Sequence, residues 1–174
     1  MRFFTDEAER DDGEWGRRVS AYSEHLATIK SGLPEDLKAL ATEPAFDLHD
    51  GRFVLVELDR TTKRLTVLVD VGSMQVGYRR LSMTFDAAEI APDNLHLLAE
   101  AVGASFSPNH WHTGIAVTEI RWQEVDIKSD GRFVLRLRLW PFHEFEIRFG
   151  AVSQSVEELP SRPAARPGRF VVHD

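Results

Sequence analysis

At 174 residues, with a formal net charge of −7 and no cysteine, the chain is sized for one domain and buries roughly 70% of the surface its unfolded form exposes, so no metal or disulfide is needed to hold it. The missing cysteines exclude disulfides, zinc fingers, iron–sulfur sites and all thiolate chemistry, which suits a reducing cytoplasm. The acidic balance disfavours nucleic acid, whose binding draws on counterion release by basic side chains, and favours a cationic protein surface as partner.

Met1 to Glu7 turns acidic at once without an apolar stretch of the signal-peptide kind. No apolar run approaches the ~20 residues of a membrane span, so no membrane association is expected. Trp15, Val19, Tyr22, Leu26, Ile29 and Leu33 then recur at spacings of three and four, one face of a helix. Gly32 stands where a left-handed residue would close that helix, with Pro34 just beyond. Pro34 also suits the first position of a second helix, whose positive end Glu35 and Asp36 complement and whose buried stripe is Leu37, Leu40 and Ala41. These two elements predict a helical hairpin over about 14–43.

Past Pro44 the period becomes two. Phe53 to Leu58 and Leu65 to Val69 read as a hairpin pairing Leu58 with Leu65, Val56 with Val67, Val54 with Val69, and Asp59 with Arg64. A third strand covers about 76–85, with Leu81, Met83 and Phe85 on one face. Leu95, Leu97, Leu98, Ala101 and Val102 permit one helix, and Gly103 to Gly114 reads as loop. Between Ile115 and Ile127 the apolar positions switch parity, which predicts a bend or bulge. The clearest hairpin follows. Keeping Phe133, Leu135, Leu137 and Leu139 on one face with Phe145, Ile147 and Phe149 sets Leu137 opposite Phe145 and Leu135 opposite Ile147. The same register places Arg138 opposite Glu144 and Arg136 opposite Glu146 on the outward face, so parity and charge agree.

The hexapeptide Asp50–Leu55 recurs identically at Asp130–Leu135. Asp-Gly is so strong a turn former that shared turn chemistry explains the echo better than an ancient duplication. Pro160, Pro163 and Pro167 with intervening arginines mark residues 151–174 as an extended arm, in which Phe170-Val171-Val172 could add an edge strand. The organisation expected is therefore one α+β domain over 1–150, a helical hairpin packed on a mainly antiparallel sheet of five to seven strands, followed by that arm.

Motifs that carry chemistry are few. No phosphate-binding loop and no Gly-x-Ser-x-Gly elbow occurs. His110 and His112, two apart in an extended stretch, project to one side and form the best metal candidate, with His49 or Asp50 as further ligands. The duller reading has Trp111 anchoring a surface loop. His143 and Glu144 fall on opposite faces of their strand and cannot share a substrate. His25 is a helix-boundary residue. Among many solvated carboxylates, Glu124 and Asp126, beside Trp122, are the pair on a strand that merits inspection. Trp140 and Phe142, at the tip Trp140-Pro141-Phe142, either fold back under the sheet or meet a partner.

The segments Gly32-Leu33-Pro34-Glu35-Asp36-Leu37, Leu48-His49-Asp50-Gly51 and Trp122-Gln123-Glu124-Val125 resemble a bacterial family of uncharacterised small α+β proteins over about residues 2–150. That resemblance implies no activity and no cofactor. In size and acidity the chain also resembles the immunity proteins that guard bacteria from their own toxins. The reading is a non-catalytic, protein-binding protein, with a His110/His112 metal protein or hydrolase and a small-ligand binder as alternatives; fold alone does not choose among them.

Overall fold

The computed structural model describes residues 1–5, 8, 10–103, 118–140, 143–164 and 166–174. Helix α1 spans Asp12–Ile29, and the Asp11 carboxylate caps it by accepting from Glu14 N (2.9 Å). Gly32 is not left-handed; a 3₁₀ turn over Lys30–Gly32 closes the helix instead, with Leu33 N donating to Lys30 O (3.3 Å). Helix α2 covers Glu35–Thr42 with Pro34 as its N-cap, and buries Leu37 and Leu40. Both helices rest on strand β4 (Glu119–Ile127). The pair is built on a common support, where the helical hairpin of the sequence reading was expected.

Among the described residues, eight strands form two sheets. Strands β1 (Arg52–Asp59), β2 (Arg64–Ser73), β3 (Gly77–Asp86), β7 (Ala151–Leu159) and β8 (Arg169–His173) make a five-stranded sheet in the order β7-β3-β2-β1-β8. Strands β4, β5 (Phe133–Trp140) and β6 (His143–Phe149) make a separate sheet of three. All pairs are antiparallel except β1 with β8, so the larger sheet is mixed. The single sheet of the sequence reading is thus two. One core joins them: Phe85 of β3 meets Phe149 of β6 edge-on at 4.9 Å between ring centroids, and Phe53 of β1 lies 6.3 Å from Phe145 of β6. Helix α2 fills the side between β4 and β7, and α3 (Pro92–Gly103), burying Leu98, Ala101 and Val102, fills the side between β6 and β1 with β8. No described helix is long and apolar enough to cross a membrane.

Registers follow the apolar pattern closely. Leu58 pairs with Leu65 and Val56 with Val67, but a bulge at Val54 puts Phe53, not Val54, opposite Val69. Asp59 does stand opposite Arg64. However, the Arg64 guanidinium pairs with Asp86 (2.9 Å), because Asp59 instead accepts from Thr62 N (3.0 Å) to close the turn. The β4 ladder slips between Ile120 and Trp122, the irregularity that the parity switch predicts. In β5 and β6, Leu137–Phe145, Leu135–Ile147, Arg138–Glu144 and Arg136–Glu146 are all partners. The face carrying those arginines is nevertheless not open to water. Helix α1 and residues 2–4 cover it, leaving the Arg136 side chain 13% exposed. Phe3, Phe4, Tyr22, Trp15 and Trp122 form an aromatic cluster there, apart from the main core.

The repeated hexapeptide opens β1 and β5 by different turns: Asp50 takes the left-handed conformation in the first copy (φ 58°), Gly131 in the second (φ 80°). Residues 151–159, the start of the expected arm, form β7 along β3. Phe170-Val171-Val172 adds to the edge of β1, parallel to it.

Candidate functional site

Between β7 and β8 the chain must travel from one edge of the larger sheet to the other. Residues 160–164 and 166–168 do this across the end where β1 begins and the β2–β3 hairpin turns. Pro160, Pro163 and Pro167 remove backbone donors and fix φ, so the segment stays out of the ladder as a strap. Its far end is pinned at Gly168, whose N–H donates to Val102 O (3.2 Å). A Cβ there would stand 2.7 Å from both Val102 O and Phe53 O, so only glycine fits.

Strap and sheet end enclose a cleft of about 440 Å³, within the ~300–1,000 Å³ range of small-molecule sites. Four arginines and two aspartates line it. On the sheet wall, Arg80 grips Asp70 with two hydrogen bonds (2.7 and 3.0 Å), a pair fixed by their opposed positions on β3 and β2. The bond to Asp70 holds the Arg80 guanidinium above its ordinary pKa. Arg52 of β1 donates from Nε to Glu119 of β4 (2.8 Å). Both sheet arginines are therefore already neutralised. Arg162 and Arg166 of the strap are exposed, and among the described residues neither has an acidic partner. Tyr78 adds a ring, and Asp50 a carboxylate, to the same walls. Asp50 keeps its left-handed backbone through a hydrogen bond from its N–H to Ile120 O (2.8 Å).

The residues singled out by sequence fall elsewhere or only at the rim. His110, His112 and Phe142 lie outside the described residues. His49 donates from Nδ1 to Arg121 O (2.7 Å), and its Nε2 is 3.5 Å from Asp50 Oδ1. Among the described residues no group of three or more His, Cys, Asp or Glu is arranged to hold a metal. Trp140 ends β5 half exposed, beside Asp50, Glu119 and Arg121 in a second depression of about 230 Å³.

Glu124 and Asp126 are brought together, but as structure. Asp126 Oδ1 is 2.9 Å from His25 Nε2 and its Oδ2 is 3.3 Å from Arg136, with Arg2 at 4.0 Å. Above them, Tyr22 Oη accepts from Val125 N (2.7 Å), and burial pushes its phenol well above the ordinary range.

Burial opposes ionisation of Asp126. The His25 hydrogen bond, the Ile127 N–H and the charges of His25 and Arg136 outweigh it and hold this carboxyl below the usual aspartate range. A folded value below the unfolded one means that Asp126 stabilises the fold above the ordinary aspartate pKa of ~3.9, and that this contribution vanishes as pH falls through the folded value. Unfolding free energy, followed by urea titration, should therefore decline on acidification below about pH 4. Asp126→Asn should be less stable at neutral pH and flatter in that acid limb; an unchanged slope would remove Asp126 from the acid response.

The strap arginines escape sequence reasoning because the stretch reads as a tail. The available signal is Arg162, Arg166 and Arg169 within eight residues of an otherwise acidic chain. Fold and cleft define an α+β protein of two facing sheets with a basic cleft at the end of the larger one. Comparison of the chain with protein-family models, with curated proteins and with solved structures finds no match in any of the three.

Proposed function

We propose that this chain is a non-catalytic binding protein whose ligand is a small anion held in the strap cleft. One observation carries the reading: two arginines without acidic partners line a cavity of ligand size, while the other two arginines of that cavity are already paired. A guanidinium facing a carboxylate or phosphate makes short, charge-assisted hydrogen bonds, roughly twice as strong as neutral ones. An acidic chain that keeps such groups unpaired on one wall concentrates its little positive potential where an anion fits. No nucleophile–base pair faces the cleft among the described residues, so binding rather than turnover is the reading.

Backbone amide NMR of the full chain, titrated with millimolar organic phosphates and carboxylates, should shift Gly72, Tyr78, Arg162, Ala164 and Arg166. Shifts scattered over the surface, or none, would sink the proposal. A cationic protein partner, the immunity-type role included, is the second reading, favoured by half-exposed Trp140 beside Asp50 and Glu119. Titration with polylysine in the same experiment reads it at the Trp140 indole.

A further inference from the structure

We propose that the ligand of the strap cleft is a phosphate monoester with a ring-bearing body rich in hydrogen-bond donors, a nucleoside monophosphate being the class that fits. This rests on the anion-binding reading above and narrows it by where the cleft puts its charges. The sheet wall holds two closed ion pairs, Arg80–Asp70 and Arg52–Glu119, together with the Asp50 carboxylate. A second negative group on the ligand would meet carboxylates there. Among the described residues that line the cleft, the arginines without an acidic partner are Arg162 and Arg166 of the strap.

The two stand four positions apart, so at most ~14 Å separates their Cα atoms, a span that two long arginine side chains close between them. The matching group is one compact dianion with several acceptor oxygens around a single centre, which a phosphate monoester provides and a dicarboxylate does not. A bare phosphate would leave most of the 440 Å³ empty. What remains is walled by Tyr78, Val54 and Pro163, and the Tyr78 ring is a surface against which a flat ring packs. Asp50, an acceptor only, faces the same space and selects hydroxyl or amino donors on the ligand body.

Isothermal titration calorimetry of the full chain with adenosine monophosphate, adenosine and succinate tests this. Adenosine monophosphate should bind at least ~10-fold more tightly than either of the others, the value of a charge-assisted anchor. Arg162→Ala and Arg166→Ala, both on the exposed strap, should each weaken it by ~10-fold or more at an unchanged melting temperature. Asp50→Asn should weaken adenosine monophosphate and leave inorganic phosphate unaffected. Adenosine binding as well as its monophosphate, or arginine variants that bind normally, would overturn the proposal. Succinate binding without adenosine monophosphate would overturn it while sparing the anion-binding reading; binding by no anion would end both.

Discussion

Replacing Glu124 by alanine should cost this protein about 3–5 kcal/mol of folding stability, the loss expected when a buried ionic group is deleted and its partners stay behind. Glu124 is 1% exposed. Its Oε1 accepts from the backbone N–H groups of Phe3 (2.7 Å), Phe4 (2.9 Å) and Arg2 (3.1 Å), and its Oε2 from Arg2 N (2.8 Å). Arg136 Nη1 lies 3.7 Å away and balances the charge. Alanine would strand three backbone donors under α1, each left unsatisfied at a cost of about 1–3 kcal/mol. It would also free residues 2–4, and with them the Phe3 and Phe4 rings that pack on Tyr22. Glu124→Gln keeps one acceptor oxygen and should lose about half as much. Urea unfolding of both variants measures this; a loss below about 1 kcal/mol for alanine would mean that residues 2–4 do not depend on this carboxylate.

Phe149→Ala should be comparably damaging, about 3–5 kcal/mol, for a different reason. The Phe149 ring is fully buried. It touches Phe85 of the larger sheet edge-on and lies 5.9 Å from Phe133 on its own sheet. Truncation removes apolar contact and leaves a cavity between two sheets whose backbones cannot easily close it, since each is held by its own ladder. The double variant with Phe85→Ala should cost less than the sum of the singles, because the second truncation removes a contact already lost. A coupling of roughly 0.5–1.5 kcal/mol is the signature of such a ring pair. Strict additivity in a thermal-unfolding cycle would show that the two sheets are not joined through these rings.

The strands and their local registers were legible because their signals lie close together along the chain. In the β5–β6 hairpin, apolar parity and the pairing of Arg136 with Glu146 select one alignment, and both are satisfied. The bulge at Val54 was not legible, since the apolar run Phe53-Val54-Leu55-Val56 satisfies either parity. Arg64 was assigned to Asp59, its neighbour across the turn, and found Asp86 on β3 instead; local pairing is a weak guide where a third strand competes. The candidate site fared worst. Its strap arginines read as tail until β8 is known to dock on β1, which draws Arg162 and Arg166 to the sheet end.

From the sequence alone come the α+β class, the helix period of α1, the alternation of each strand and the hairpin registers, all contacts between residues near in the chain, where loop closure is inexpensive. Tertiary structure alone decided that the strands divide into two sheets, that α1 covers the charged face of the smaller one, and that Glu124 receives backbone groups some 120 positions away. Those choices depend on which faces can be buried together and which buried polar groups can be satisfied at once, a condition on the whole chain that no short window of residues contains.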